Sequence, residues 1–177
     1  IREQLQNSKL DTPVKQRAIT IFELLAEAEA AVHGNTIDDV AFHEVGAWDS
    51  IADIVAAAWL IERSGATTWS CSPLPLGRGR VASAHGLLPI PAPATAWLLK
   101  GFPVFDDGVE GERVTPTGAA ILKHINPSFE PRMPPSVILG RGYGFGTKTF
   151  PGFSNVLLVS LFDRLQSRAA DSSIAVC

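Results

Sequence analysis

The chain has 177 residues, 46% of them apolar and 19% charged, and its fifteen Lys and Arg against eighteen Asp and Glu give a net charge of −3. Such a composition can bury a core, which excludes a disordered chain, and it supplies no global basic field for a nucleic-acid backbone. Two cysteines, Cys71 and Cys177, make neither a disulfide framework nor a paired-cysteine metal knuckle, and no apolar run approaches the roughly 20 residues of a membrane span. The expectation is a reduced, soluble, intracellular protein that binds neither nucleic acid nor membrane. The opening IREQLQNSKL lacks the features of a signal peptide and reads as cut from something longer.

In chain order, the first strong signal is a helix from Thr12 to Gly34, with Thr12 as cap, Pro13 at the first helical position, apolar Ile19, Phe22, Leu25, Ala26 and Val32, and glycine as the stop. Val40 to Val45 reads as a short strand ending at Gly46. A second helix is expected from about Ser50 to Arg63, where Ser50-Ile51-Ala52-Asp53 has the form of a capping box and Gly65 ends it. Thr67 to Cys71 is strand-like, and Ser72 to Leu76, with Pro73 and Pro75, is extended edge or loop. Further helices are expected from the Pro91, Pro93, Ala94 region to Gly101 and from Thr117 to His124. Short strands fit Pro103 to Phe105, Ser136 to Gly142 and Asn155 to Phe162. Without a clean βαβ period, the pattern points to an α+β or mixed α/β fold, helices packed on a small mixed sheet, as a single domain over residues 1–162. Residues 163–177 are small and polar and are expected to be a disordered tail.

Chemistry concentrates in His43-Glu44-Val45-Gly46-Ala47-Trp48-Asp49-Ser50 and in Asp53 one turn later, at a strand-to-helix junction. Asp49 and Asp53, four residues apart, can face one point, with His43 approaching from the strand. Imidazole with two carboxylates suits a borderline divalent ion, although carboxylates at a helix start also satisfy free amides with no metal present. Glu44 points away from His43 if the strand runs through both. His33 near a helix end and His85 in a loop of small residues are further metal candidates, whereas His124 is most simply a helix-end residue.

Gly77-Arg78-Gly79-Arg80 could present a guanidinium fork and backbone amides to an anion, or be a solvated turn. Gly77-x-Gly79-x-x-Ala82 has the letters of a relaxed dinucleotide fingerprint but follows two prolines and opens no helix, so that reading is rejected. Gly140, Gly142, Gly144 and Gly146 alternate through a strand-like stretch, leaving one face bare for a ligand or for close backbone packing. Glu112 and Thr115 lie in a polar connection that could line a cleft or merely cap the next helix. No nucleophile elbow or Cys-His pairing is present.

The segments AEAEAAVHG, FHEVGAWDSIADIV, SPLPLGRGRVASAHGLLPIPAPAT, VEGERVTPTGAAIL and GYGFGTKTFP, in this order, resemble the LarC family of nickel-insertion proteins over about Val14 to Phe162. The resemblance implies a cytoplasmic chelatase that places Ni²⁺ into a pyridinium-3,5-bisthiocarboxylic acid mononucleotide, the pincer cofactor of lactate racemase, using CTP with Mn²⁺ or Mg²⁺. This chain matches part of the N-terminal half, and the nucleotide region lies beyond it. The family commonly has histidine at the position of Ala41. The implied nickel ligands are His43, Asp49, Asp53, His33, Glu44 and His85, and the implied substrate contacts are Arg78, Gly77, Gly79, Thr115, Gly142 and Gly144. The catalytic residue is left open. The pincer precursor and lactate racemase apoprotein are the expected partners, and a homo-oligomer is expected. The competing readings are a metal-dependent phosphohydrolase and a non-catalytic metal-binding or assembly module.

Overall fold

The computed structural model describes residues 1–37, 40, 48–83, 86–130 and 134–165. The elements run α1 (Arg2–Gln6), α2 (Thr12–His33), α3 (Trp48–Ser64), β1 (Leu74–Pro75), β2 (Arg80–Ser83), β3 (Gly86–Pro89), α4 (Pro93–Leu98), β4 (Val104–Phe105), α5 (Pro116–Ile125), β5 (Ser136–Phe145) and β6 (Val156–Arg164). They form two compact units, residues 1–129 and residues 130–177. The expected α+β class is observed, with the strands in three separate two-stranded sheets.

The first unit is built on α2. Its residues Val14, Ala18, Ile21 and Leu25 are almost wholly withdrawn from solvent, and they share one core with Leu5 of α1, Ile54 and Ala58 of α3, Ala94 and Leu98 of α4, and Ala119 and Ala120 of α5. Alanine recurs at these contacts because a small side chain lets a second helix approach closely, while Leu and Ile fill the gaps between. Gly34 ends α2 in the left-handed conformation. The helix begins at Thr12 with Asp11 in the cap position, one residue before the expected cap.

Helix α3 starts at Trp48, so Ser50 lies inside it and the Ser50–Asp53 capping box is not formed. Asp49 instead folds back to accept a hydrogen bond from the Ser50 amide at 2.9 Å. The expected strand at residues 40–45 falls almost entirely outside the described residues. The stretch from Thr67 to Cys71 reduces to one bridge, in which Ser128 donates to the Trp69 carbonyl and the Cys71 amide donates to Ser128. β1 pairs in parallel with β4, and Pro75, having no N–H, is tolerated in so short a ladder. β2 and β3 form an antiparallel hairpin where only a loop was expected.

Arg17 of α2 ties this unit together. Its Nε donates to Glu62 of α3 at 2.8 Å, and its Nη1 lies 3.4 Å from Nε2 of His124 on α5. Burial lowers the His124 pKa, and the Arg17 cation lowers it further. A histidine held neutral in the folded state contributes stability that is complete above its unfolded pKa of about 6.5 and is lost as pH falls through the folded value. Urea unfolding at pH 7.5 and at pH 5 is therefore expected to show a larger loss for the wild-type chain than for His124→Gln, which has no imidazole to charge beside Arg17.

In the second unit β5 and β6 make an antiparallel ribbon with an irregularity at Leu139, between Ile138 and Gly140. Gly140, Gly142 and Gly144 fall on one face, across from Leu161, Val159 and Leu157. No other residue lies within 4 Å of where a Cβ would stand at these three positions, so the bare face expected from the sequence is present there, whereas at Gly146 the Asn155 side chain fills that place.

Candidate functional site

The two carboxylates that the sequence singled out, Asp49 and Asp53, lie in the first two turns of α3 and both are exposed. Four residues along a helix bring side chains back to nearly the same azimuth, so both project from one side of the helix start, where the free amides also favour negative charge. Their proposed companions His43, Glu44 and His85 lie outside the described residues. His33 is placed at the end of α2 with Nε2 at 3.5 Å from Glu29, one turn earlier on its own helix. Among the described residues, no three His, Cys, Asp or Glu side chains come together as a metal centre. The structure thus sets Asp49 and Asp53 about one turn apart on α3 and brings no third described ligand to them.

The second candidate region is organised around Arg78. The chain from Leu74 to Arg78 runs alongside the chain from Pro103 to Gly111: Leu74 donates to Pro103, Leu76 to Phe105 and Arg78 to Val109, while Gly111 donates back to Arg78. Between Phe105 and Val109 the second chain leaves the ladder in a turn, Asp106-Asp107-Gly108, whose composition is typical of turns. Asp106 accepts from the Gly108 amide at 2.8 Å, and both its oxygens lie 2.8 Å from Arg78 Nε. The Arg78 hydrogen bond, reinforced by the Gly108 amide, holds the Asp106 carboxyl below the usual carboxylate range, and the same pair raises the Arg78 pKa. Both side chains are more than half exposed, so the pair is well solvated. The contact runs through Nε, which leaves the terminal amino groups of the fork for a second anion.

Beside this surface pair lies a part-buried one that the sequence did not disclose. Arg113 Nε donates to Asp107 at 2.8 Å, with 14% and 11% of the two side chains exposed. The other Asp107 oxygen accepts from the Val109 amide. The doublet Asp-Asp-Gly could have flagged the turn, but nothing local indicates which carboxylate pairs with which arginine. Gly77 is buried at the same place, with φ +78°, and a Cβ there would overlap the Gly111 carbonyl. Its glycine is thus required by packing. Gly79 is exposed and opens the β2–β3 hairpin, accepting from the Ile90 amide. A strand follows it, not the helix that a dinucleotide fingerprint demands, as the sequence reading held.

Thr115 caps α5, its Oγ1 accepting from the Gly118 amide at 3.2 Å. Cys71 is half-buried, and burial raises its thiol pKa, which makes it a poor nucleophile. No described helix is long and apolar enough to cross a membrane.

The family model for nickel insertion proteins matches residues 1–176. A putative nickel insertion protein of Citrifermentans bemidjiense is 48% identical over 176 residues, covering 99% of this chain and 46% of that protein. One from Geobacter sulfurreducens is 51% identical over 159 residues, 90% of this chain and 41% of that protein. A Staphylococcus epidermidis protein named pyridinium-3,5-bisthiocarboxylic acid mononucleotide nickel insertion protein is 46% identical over 163 residues, 92% of this chain and 41% of that protein. No solved structure matches. The chain spans less than half the length of these relatives, and with its match running from end to end it belongs to the nickel insertion protein family.

Proposed function

We propose that the chain is the metal- and substrate-positioning part of a nickel chelatase that inserts Ni²⁺ into pyridinium-3,5-bisthiocarboxylic acid mononucleotide. The observation that carries this reading is the similarity, over nine-tenths of the chain, to the Staphylococcus epidermidis protein named for that insertion. Nickel is the cargo of the reaction. Asp49 and Asp53, exposed on one side of the α3 start, hold it together with His43, and Glu44, His33 and His85 are the further ligands to test. Carboxylate and imidazole are hard and borderline donors, so a site made of them binds nickel without the affinity of thiolate and yields it to the sulfur donors of the precursor. The precursor's phosphate is assigned to the Arg78 fork at Gly77 and Gly79, and Thr115, Gly142 and Gly144 are the remaining substrate positions.

CTP with Mn²⁺ or Mg²⁺, and with it classification as a lyase, is assigned to the part of each relative that this chain does not span. The product serves maturation of lactate racemase, whose apoprotein is the proposed acceptor, in the cytoplasm. The proposed protein is a homo-oligomer.

Calorimetric titration of the chain with Ni²⁺ tests the ligand set. Asp53→Asn and His43→Ala are each expected to weaken binding by about tenfold or more, and wild-type affinity to fall as pH drops through about 6.5, because a ligating histidine must be neutral. Equal affinity in wild type and both variants would remove the α3 start from the nickel path.

A further inference from the structure

Among the described residues, one face of α3 meets no other part of the core. Asp49, Ala52, Asp53, Ala56, Trp59, Leu60 and Arg63 are all exposed, Trp59 by 46% and Leu60 by 59%, whereas Ile54, Ala58 and Ile61 are buried. At 3.6 residues per turn the seven exposed positions fall within an arc of about 120° centred on Ala56, with Asp49, Ala56 and Arg63 at heptad spacing along its middle. The arc is apolar in its centre and charged at its ends, and the charges have opposite sign: Asp49 and Asp53 at the helix start, Arg63 in the last turn. The Arg63 guanidinium stands over the Trp59 ring on this face, 5.8 Å from the centroid.

An amphipathic face that is acidic at one end and basic at the other is self-complementary only under an antiparallel two-fold. An antiparallel pairing that sets Asp53 opposite Arg63 of a second copy also sets Ala56 opposite Leu60, so the register that matches charge matches small against large side chains as well. Two alanines, at 52 and 56, let the helix axes approach, and the leucines and tryptophans cover the gaps they leave. A parallel pairing would stack acid on acid and arginine on arginine.

We infer that α3 is a self-association face, and that two metal-free copies of this chain dimerise through antiparallel packing of their α3 helices, with Asp53 of each against Arg63 of the other. The seam extends about 15 Å, from Asp53 to Arg63. A single helix face makes a small interface, so the dimer is weak and concentration-dependent.

Sedimentation equilibrium of the 177-residue chain from about 1 to 500 µM, spanning the range expected for a small interface, tests this. The experiment is done in EDTA, so that the outcome is independent of whether Asp49 and Asp53 hold nickel. Wild type is expected to pass from monomer to dimer across the range. Asp53→Lys and Arg63→Glu each reverse both inter-helix charge contacts and should separately weaken association by about tenfold or more. An equimolar mixture of the two variants restores both contacts in the heterodimer and should associate as wild type does. Exposed charges carry the test, and circular dichroism of each variant confirms that its helices are kept. Wild type that stays monomeric throughout overturns the pairing and leaves the face to a different polypeptide. Variants that dimerise as well as wild type move the interface away from α3, and a mixture that stays monomeric overturns the antiparallel register.

Discussion

Arg113→Met is expected to cost about 1–3 kcal/mol of folding stability, because it leaves the part-buried Asp107 carboxylate with one backbone amide and only the Coulombic influence of Arg78. The aliphatic stem of methionine fills much of the same space, so the loss reports the charge and not a cavity. The matched change at the surface, Arg78→Met, removes the partner of an exposed carboxylate and should leave stability close to that of wild type. Urea unfolding of the three proteins reads the contrast. Equal losses for the two variants would mean that water reaches Asp107 as freely as Asp106.

Gly77→Ala is the second substitution with a large expected effect. The left-handed backbone costs an L side chain about 1–2 kcal/mol, and the new methyl would overlap the Gly111 carbonyl and stand 2.9 Å from Arg113 Cγ, adding about 1–3 kcal/mol of overpacking. The methyl presses on the arginine that neutralises Asp107, so the two substitutions act on one unit and the double variant should lose less than the two singles taken together. Thermal unfolding of Gly77→Ala, Arg113→Met and the double variant measures that coupling. An alanine variant as stable as wild type would show that the Gly111 segment can move aside, and the ladder from Leu74 to Gly111 would then be soft.

The helices were readable in the sequence because their signals are local. Pro13, Pro93 and Pro116 stand in the first turns, Gly34 ends α2, and apolar positions recur at helical spacing. α1 was missed since five residues are too few to establish a period, and the β2–β3 hairpin since the glycines at its borders read as loop while its strands have only four residues each. The start of α3 was misplaced by two residues because Ser50 and Asp53 carry the letters of a capping box without its geometry.

The site was legible to a different degree. Residue type and spacing put Asp49 and Asp53 on one side of a helix start, and the helix does place them there. That Arg78 meets Asp106, 28 residues away, follows only from the parallel pairing of two extended segments, which no local pattern encodes. Arg113 and Asp107 were overlooked for a related reason: in a polar connection, charged residues look solvated until the fold closes over them. The family resemblance was visible because five ordered segments bear it jointly, and each of them alone would have been weak.

The central position of α2 also bears on biosynthesis. Its partners α3, α4 and α5 all follow it in the chain, and α5 ends about 90 residues after α2 does. On a ribosome adding about 5–20 residues per second, α2 therefore exists for roughly 5–20 s with Ile21, Leu25 and its other core residues still uncovered. During that interval the nascent chain is a client for any factor that recognises an apolar helix. The first unit can close only when Ala119 and Ala120 have emerged to complete the packing.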